Sequence, residues 1–133
     1  MRTFTLGAGA DVVKFTSASY ADANTIKNFG TTDKLSFLST QFAITGWTTS
    51  SSFTPTFKNN NNIEGNKVYF GAAITDEAVA GLEKSAVAKA LAITQTGGIY
   101  YIDDDNSATL TPILVGSVNI DTLEAGNIEF VAS

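Results

Sequence analysis

Apolar and polar positions alternate in short runs along most of this chain, and turn residues separate the runs. Thr3–Leu6 and Val12–Phe15 alternate with the period of strands on either side of Gly7-Ala8-Gly9-Ala10-Asp11. Thr25–Phe29, with Ile26 and Phe29 three apart, and Leu35–Leu38 read as two short strands around the turn Gly30-Thr31-Thr32-Asp33-Lys34. Gln41–Trp47 and Lys67–Phe70 read as further strands. Gly97-Gly98 marks a turn before Ile99–Ile102, which pairs as a hairpin with Leu110–Val115, where Pro112 favours an edge or a bulge. Val118–Ile120 and Asn127–Ser133 complete the strand pattern.

Two stretches break that rhythm. Over Thr75–Ala92 the apolar residues Val79, Leu82, Ala86, Val87, Ala90 and Leu91 fall on one helical face. Thr75 suits an N-cap, and Asp76 and Glu77 suit the positive end of a helix dipole. The pattern predicts one α-helix over about 75–92, packed on a sheet. Thr48–Asn62, rich in Ser, Thr and Asn, predicts a long exposed loop, with Phe53 and Phe57 docking part of it on the body and a binding role open to the remainder. The fold class that follows is all-β or β-rich: a β-roll-like sandwich of short strands with one packed helix.

Composition narrows the chemistry. The 133 residues suit one domain with a core of its own. The absence of Cys and His removes disulfides, zinc–thiolate sites and the commonest general base, so no enzyme is expected. Asp76 and Glu77 read as helix-start charge rather than an acid/base pair. A net charge of −5 disfavours nucleic acid as a partner and is compatible with a divalent cation. No apolar run reaches the roughly 20 residues of a membrane span, and Met1–Thr5 lacks the apolar core of an N-terminal export signal.

Hard oxygen ligands suit calcium. A glycine-rich turn can aim carbonyls inward, so Gly7 and Gly9 with the Asp11 carboxylate form the first candidate, with Asp22 and Asp33 as possible partners. The second candidate is Asp103, Asp105 and Ser107, alternating oxygen-bearing residues in a tight, repulsive acidic loop. The same loop also reads as an ordinary solvated hairpin connection.

Leu6–Phe15 resembles one copy of the glycine–aspartate nonapeptide of RTX β-rolls, with Leu6 in place of the first glycine. The resemblance extends to Asn24-Thr25-Ile26-Lys27-Asn28-Phe29 and Asp33-Lys34-Leu35, where Asn24 and Asn28 replace two family aspartates. It extends further to Tyr100–Asn106, Leu110–Val115, Gly116-Ser117-Val118-Asn119-Ile120 and Glu129-Phe130-Val131, the order in which RTX exoproteases and surface-layer proteins end. Phe42–Ala92 aligns with nothing in that family. The resemblance implies RTX-like turns over 1–40, a divergent insert over 41–92 and a C-terminal hairpin and strand over 93–133. It implies a calcium-binding targeting and capping domain, secreted or at the cell surface, whose partner is a type I secretion ABC transporter complex. The secretion signal would be Glu129, Phe130 and Val131. In the family each Ca2+ lies between two successive turns, so one copy supplies half a site. Either Thr25–Phe37 forms a second turn or the missing half lies upstream in a longer parent, and the upstream half is the expectation. The alternative function is a structural or adhesive surface-layer module that self-assembles or binds a surface glycan.

Overall fold

The computed structural model describes residues 3–17, 24–55, 61–82, 87–105, 112–119 and 123–132. Strands dominate them: β1 (Thr3–Thr5), β2 (Val12–Phe15), β3 (Asn24–Lys27), β4 (Lys34–Leu38), β5 (Thr48–Ser50), β6 (Thr54–Pro55), β7 (Asn61–Asn62), β8 (Lys67–Phe70), β9 (Val87–Ile93), β10 (Gly98–Asp105), β11 (Ile113–Val118) and β12 (Ile128–Val131). The described helices are short: α1 (Ser39–Phe42), α2 (Asp76–Ala80) and a 3-10 turn at Ala125–Asn127. The β-rich expectation holds.

The strands build a seven-stranded sheet, β1-β3-β11-β10-β9-β8-β5, and a three-stranded sheet, β12-β4-β2, beside a small β6–β7 pair. The first two sheets share a coil. β1 lies parallel to β3 with Thr3 opposite Thr25, and β2 lies parallel to β4 with Val12 opposite Lys34. Both pairings carry the same 22-residue offset, which the Asp11–Asp33 bond also spans. β11 and β12 then add a third turn, with Ser117 opposite Thr25 and Ile128 opposite Leu35. The coil therefore has three parallel turns, β1–β2, β3–β4 and β11–β12, each giving one strand to each sheet. Thr25–Phe37 is the second of them, one of the two alternatives that the resemblance left for the partner of the first turn.

Apolar residues line the space between the sheets because inward positions repeat from turn to turn. Ile26 and Val118 come from one sheet, and Phe15, Leu35, Phe37 and Ile128 from the other. Phe15 stacks on Phe37 at 4.7 Å and 15°, and Phe37 meets Phe130 at 5.4 Å, so three turns share one ring spine. Phe42 at the end of α1 closes edge-on against Phe37 and Tyr101, and the Tyr101 hydroxyl donates to the Phe42 carbonyl at 2.8 Å.

The segment between the second and third turns extends the larger sheet beyond β11. β10 runs antiparallel to β11 and β9, and β8 and β5 follow in parallel. This half of the sheet is covered on both faces. Val68, Leu91, Ile93 and Ile99 enter the first core; Tyr69, Ala90, Ala92 and Ile102 enter a second core with Phe53, Ile74, Val79 and Leu82.

That double burial explains the largest departure from the expected elements. Of the helix predicted over about 75–92, the described residues show Asp76–Ala80 helical, and Val87–Ile93 is a central strand. A strand buried on both faces reads as a near-continuous apolar run, which periodicity alone does not separate from a helix. The N-cap reading does hold: Thr75 Oγ1 accepts the Ala78 N–H at 3.0 Å. Gln41–Trp47 is not a strand either; α1 ends at Phe42, and Ala43 (φ 51°) and Gly46 (φ 55°) turn the chain in left-handed conformations. Val118 belongs to β11 rather than to a separate strand. Pro112 lies just ahead of β11, which is a central strand rather than an edge, and the bulge that β11 carries falls at Val115, where the register slips between Ile99–Gly116 and Tyr100–Leu114. Thr48–Asn62, expected as a long exposed loop, contains β5, β6 and β7, with β5 paired to β8; Phe53 docks the stretch on Tyr69 at 4.8 Å, and Phe57 lies outside the described residues.

Gly97, at φ 95° in the β9–β10 turn, has a specific requirement. Its carbonyl accepts the Val118 N–H at 2.9 Å, and a Cβ there would be driven into the Val118 carbonyl.

Candidate functional site

The turns that join the two sheets on one side of the coil carry a ladder of polar bonds. Asp33 is 3% exposed, and both of its carboxylate oxygens are used. Oδ1 accepts the Asp11 N–H from the first turn at 2.8 Å, and Oδ2 accepts the Gly30 N–H of its own turn at 2.8 Å. The Thr32 hydroxyl donates to the Gly9 carbonyl at 3.2 Å, and the Lys34 N–H donates to the Asp11 carbonyl at 2.8 Å. Buried carboxylates are retained where such charge-assisted bonds satisfy them.

Two asparagines continue the ladder to the third turn. Asn119 accepts the Phe29 N–H at 2.9 Å and donates to the Phe29 carbonyl at 3.0 Å. Asn127 donates to the carbonyls of Thr31 at 3.0 Å and Asp33 at 2.9 Å, while its own oxygen accepts the Glu124 N–H at 2.7 Å. The amide, with donor and acceptor on one side chain, suits a position that must do both. Neither asparagine stood out in the sequence. The readable signal was the spacing: Asp11 and Asp33, and Phe15 and Phe37, recur with one offset.

The two ends of the coil differ. Beyond the third turn, the larger sheet runs on into β10, and the smaller sheet ends at β12, where Trp47 packs on Phe130 at 5.6 Å and the Ser39 hydroxyl donates to the Val131 carbonyl at 3.0 Å. At the other end, β1 and β2 are both terminal strands. Phe4 is 39% exposed and Val12 59%, the exposed large apolar residues among those described. A groove of about 440 Å³ lies between them, lined by Phe4, Leu6, Val12, Val13, Phe15 and Ile26 among others. Asp11 Oδ2 is buried at this end and has no hydrogen-bond partner among the described residues.

The candidate calcium ligands are distributed as follows. Gly7, Gly9 and Asp11 form the first turn, and Asp33 stands beside Asp11. Asp22 lies outside the described residues, as does Ser107. Asp103 is exposed on β10 opposite Lys89, and Asp105 lies in the same strand, its side chain outside the described set. Calcium takes about six to eight oxygens. At the first two turns each Asp33 oxygen accepts one N–H and the Gly9 carbonyl accepts a hydroxyl, while Asp11 Oδ2 is a buried carboxylate oxygen with no partner among the described residues. Among the described residues, no group of three or more acidic, His or Cys side chains is placed to hold a metal. Among the described residues, the carboxylates that these two turns bring together are Asp11 and Asp33.

Glu129, Phe130 and Val131 lie in β12 and are half-buried. Elsewhere, burial and the nearby Asp103 carboxylate push the Tyr101 hydroxyl up to about 12, and burial raises Tyr69 and, with Asp76, Tyr100. No described helix is long and apolar enough to cross a membrane. No protein-family model, curated protein or solved structure matches this chain.

Proposed function

We propose that this chain is the end module of an RTX-type parallel β-roll, a C-terminal capping and targeting domain that acts outside the cell. The observation that carries the reading is the asymmetry of the coil. Its first two turns keep one 22-residue register in both sheets, one end is continued by packed structure, and the other presents two parallel edge strands unpaired among the described residues. An end module needs that combination, because a roll cannot bury its last turn without a cap. Calcium, in this reading, falls to the Asp103–Asp105 end of β10 and not to the first turns. Glu129, Phe130 and Val131 form the type I secretion signal and are recognised by the transporter before β12 folds.

The test is export of a passenger fused ahead of the chain in cells with a type I transporter. Full-length chain should deliver the passenger to the medium, and removal of residues 129–133 should retain it. Because the signal is read before folding, the lost packing of β12 does not by itself block export. Retention by the full-length chain, or unchanged export after the deletion, refutes the targeting role.

The exposed Phe4 and Val12 also favour a second reading, a surface-layer module that self-assembles through this edge. Concentration-dependent sedimentation, reversed by Val12→Lys, would distinguish it.

A further inference from the structure

We propose that the open end accepts another polypeptide turn in parallel register, and that the junction is made by a carboxylate–amide hydrogen bond at Asp11, without a metal. The inference rests on the end-module reading and names the chemistry of its joint. Asp33 shows what an aspartate does at this place in the coil: it accepts the backbone N–H of the residue 22 positions earlier, Asp11, at 2.8 Å. Asp11 holds the same place one turn back. Its Oδ2 is buried and has no donor among the described residues, so the carboxylate is left unsatisfied where no further turn pairs with it, and rotating the carboxylate toward the open edge would let it accept an N–H there.

The surrounding surface repeats the same logic. Phe4 stands opposite Ile26, which stands opposite Val118; Ile26 is 1% and Val118 4% exposed, whereas Phe4 is 39% exposed. The row Val13–Leu35–Ile128 runs the same way in the other sheet. Both apolar rows continue into the open groove beside Phe4 and Val12. The occupant they fit is a strand–turn–strand segment with an apolar residue facing Phe4, another facing Val13, and a free N–H over Asp11. A second copy docked edge to edge about a two-fold axis fits less well, because it pairs the edge strands antiparallel and does not continue the parallel register in which the rows repeat.

The test inserts a second copy of residues 3–24 between Arg2 and Thr3 of the full chain. Melting is then followed in calcium and in chelator, for the wild-type sequence and for Asp11→Asn and Asp11→Ala at the original position. The added turn should raise Tm by at least about 3 °C, equally in calcium and chelator. The gain should survive Asp11→Asn, whose side-chain oxygen still accepts an N–H, and vanish in Asp11→Ala. In the unextended chain Asp11→Ala should leave Tm nearly unchanged. A gain confined to calcium and lost in Asp11→Asn means a metal junction; it overturns the inference and leaves the end-module reading standing. A gain indifferent to Asp11→Ala also overturns it. No gain, or an added turn without hydrogen-exchange protection, refutes the inference and the end-module reading together. Dimerisation of the unextended chain that Val12→Lys abolishes would assign the edge to a second copy instead.

Discussion

Phe37 is the residue on which the coil should depend most. It is fully buried, and its ring meets Phe15 at 4.7 Å, Phe42 at 5.2 Å and Phe130 at 5.4 Å. Truncating a buried Phe to Ala costs about 3–5 kcal/mol, and favourable ring pairs add about 0.5–1.5 kcal/mol each beyond the area buried. Phe37→Ala should therefore fall at or above the top of that range. That is a large share of the roughly 5–15 kcal/mol by which a domain is stable, so the more informative variant is Phe37→Leu. Leu keeps most of the apolar volume and loses the ring contacts, for an expected cost of about 1–2 kcal/mol. Phe130→Leu, at a half-buried end of the same spine, should cost less. Urea titration at constant m-value measures both. A double-mutant cycle of Phe15 and Phe37 should give a coupling of about 0.5–1.5 kcal/mol. If Phe37→Leu costs less than Phe130→Leu, or the coupling is nil, the rings do not form a shared spine and the three-turn coil is wrong.

Asp33→Ala leaves the N–H groups of Asp11 and Gly30 without their acceptor, so a loss of about 2–4 kcal/mol is expected by urea titration. Asp33→Asn, which keeps one acceptor, should fall between the two; if Asp33→Ala is neutral, Asp33 does not hold the turns together. The alkaline limit should be set in part by Tyr101, whose hydroxyl is pushed from 10.0 to about 12 by burial and by Asp103. The unfolded chain loses that proton first, so stability is retained below the unfolded value and falls as pH rises through the folded one. Denaturant melts across that window should show the decline, and Tyr101→Phe should flatten it after an initial cost of about 1 kcal/mol for the bond to the Phe42 carbonyl.

The parts of the fold legible in the chain were those with one face in the core. Val13 and Phe15, Leu35 and Phe37, and Ile128 and Phe130 alternate visibly because the residues between them, Lys14, Ser36 and Glu129, are polar, even where, as at Ser36, the position is buried. Val87–Ile93 was not legible as a strand, because Ala90 and Ala92 are buried on one face and Leu91 and Ile93 on the other. Alanine also favours helices intrinsically, and here tertiary packing overrides that preference. In the candidate site, the glycines and Asp11 announced a turn from local chemistry alone. The role of Asp33 depends on register, a long-range property that places it beside Asp11 and spends its oxygens on N–H groups. Asn119 and Asn127 were the least legible, since a loop asparagine looks the same whether it is solvated or, as here, clamps a neighbouring turn.

The insertion between the second and third turns has a kinetic consequence. The first two turns are neighbours in sequence, but the third reaches them only across separations such as the 92 residues between Ser39 and Val131. Joining such distant segments carries a loop-closure cost before their contacts repay it, and folding slows as that separation grows. During synthesis the β1–β4 portion emerges first and must wait, its ring spine one phenylalanine short, until Ile128–Val131 arrives to complete it. Completion of the module is thus timed by its last-made strand, and a chain interrupted before that strand would display the half-covered face of β4 to whatever lay nearby.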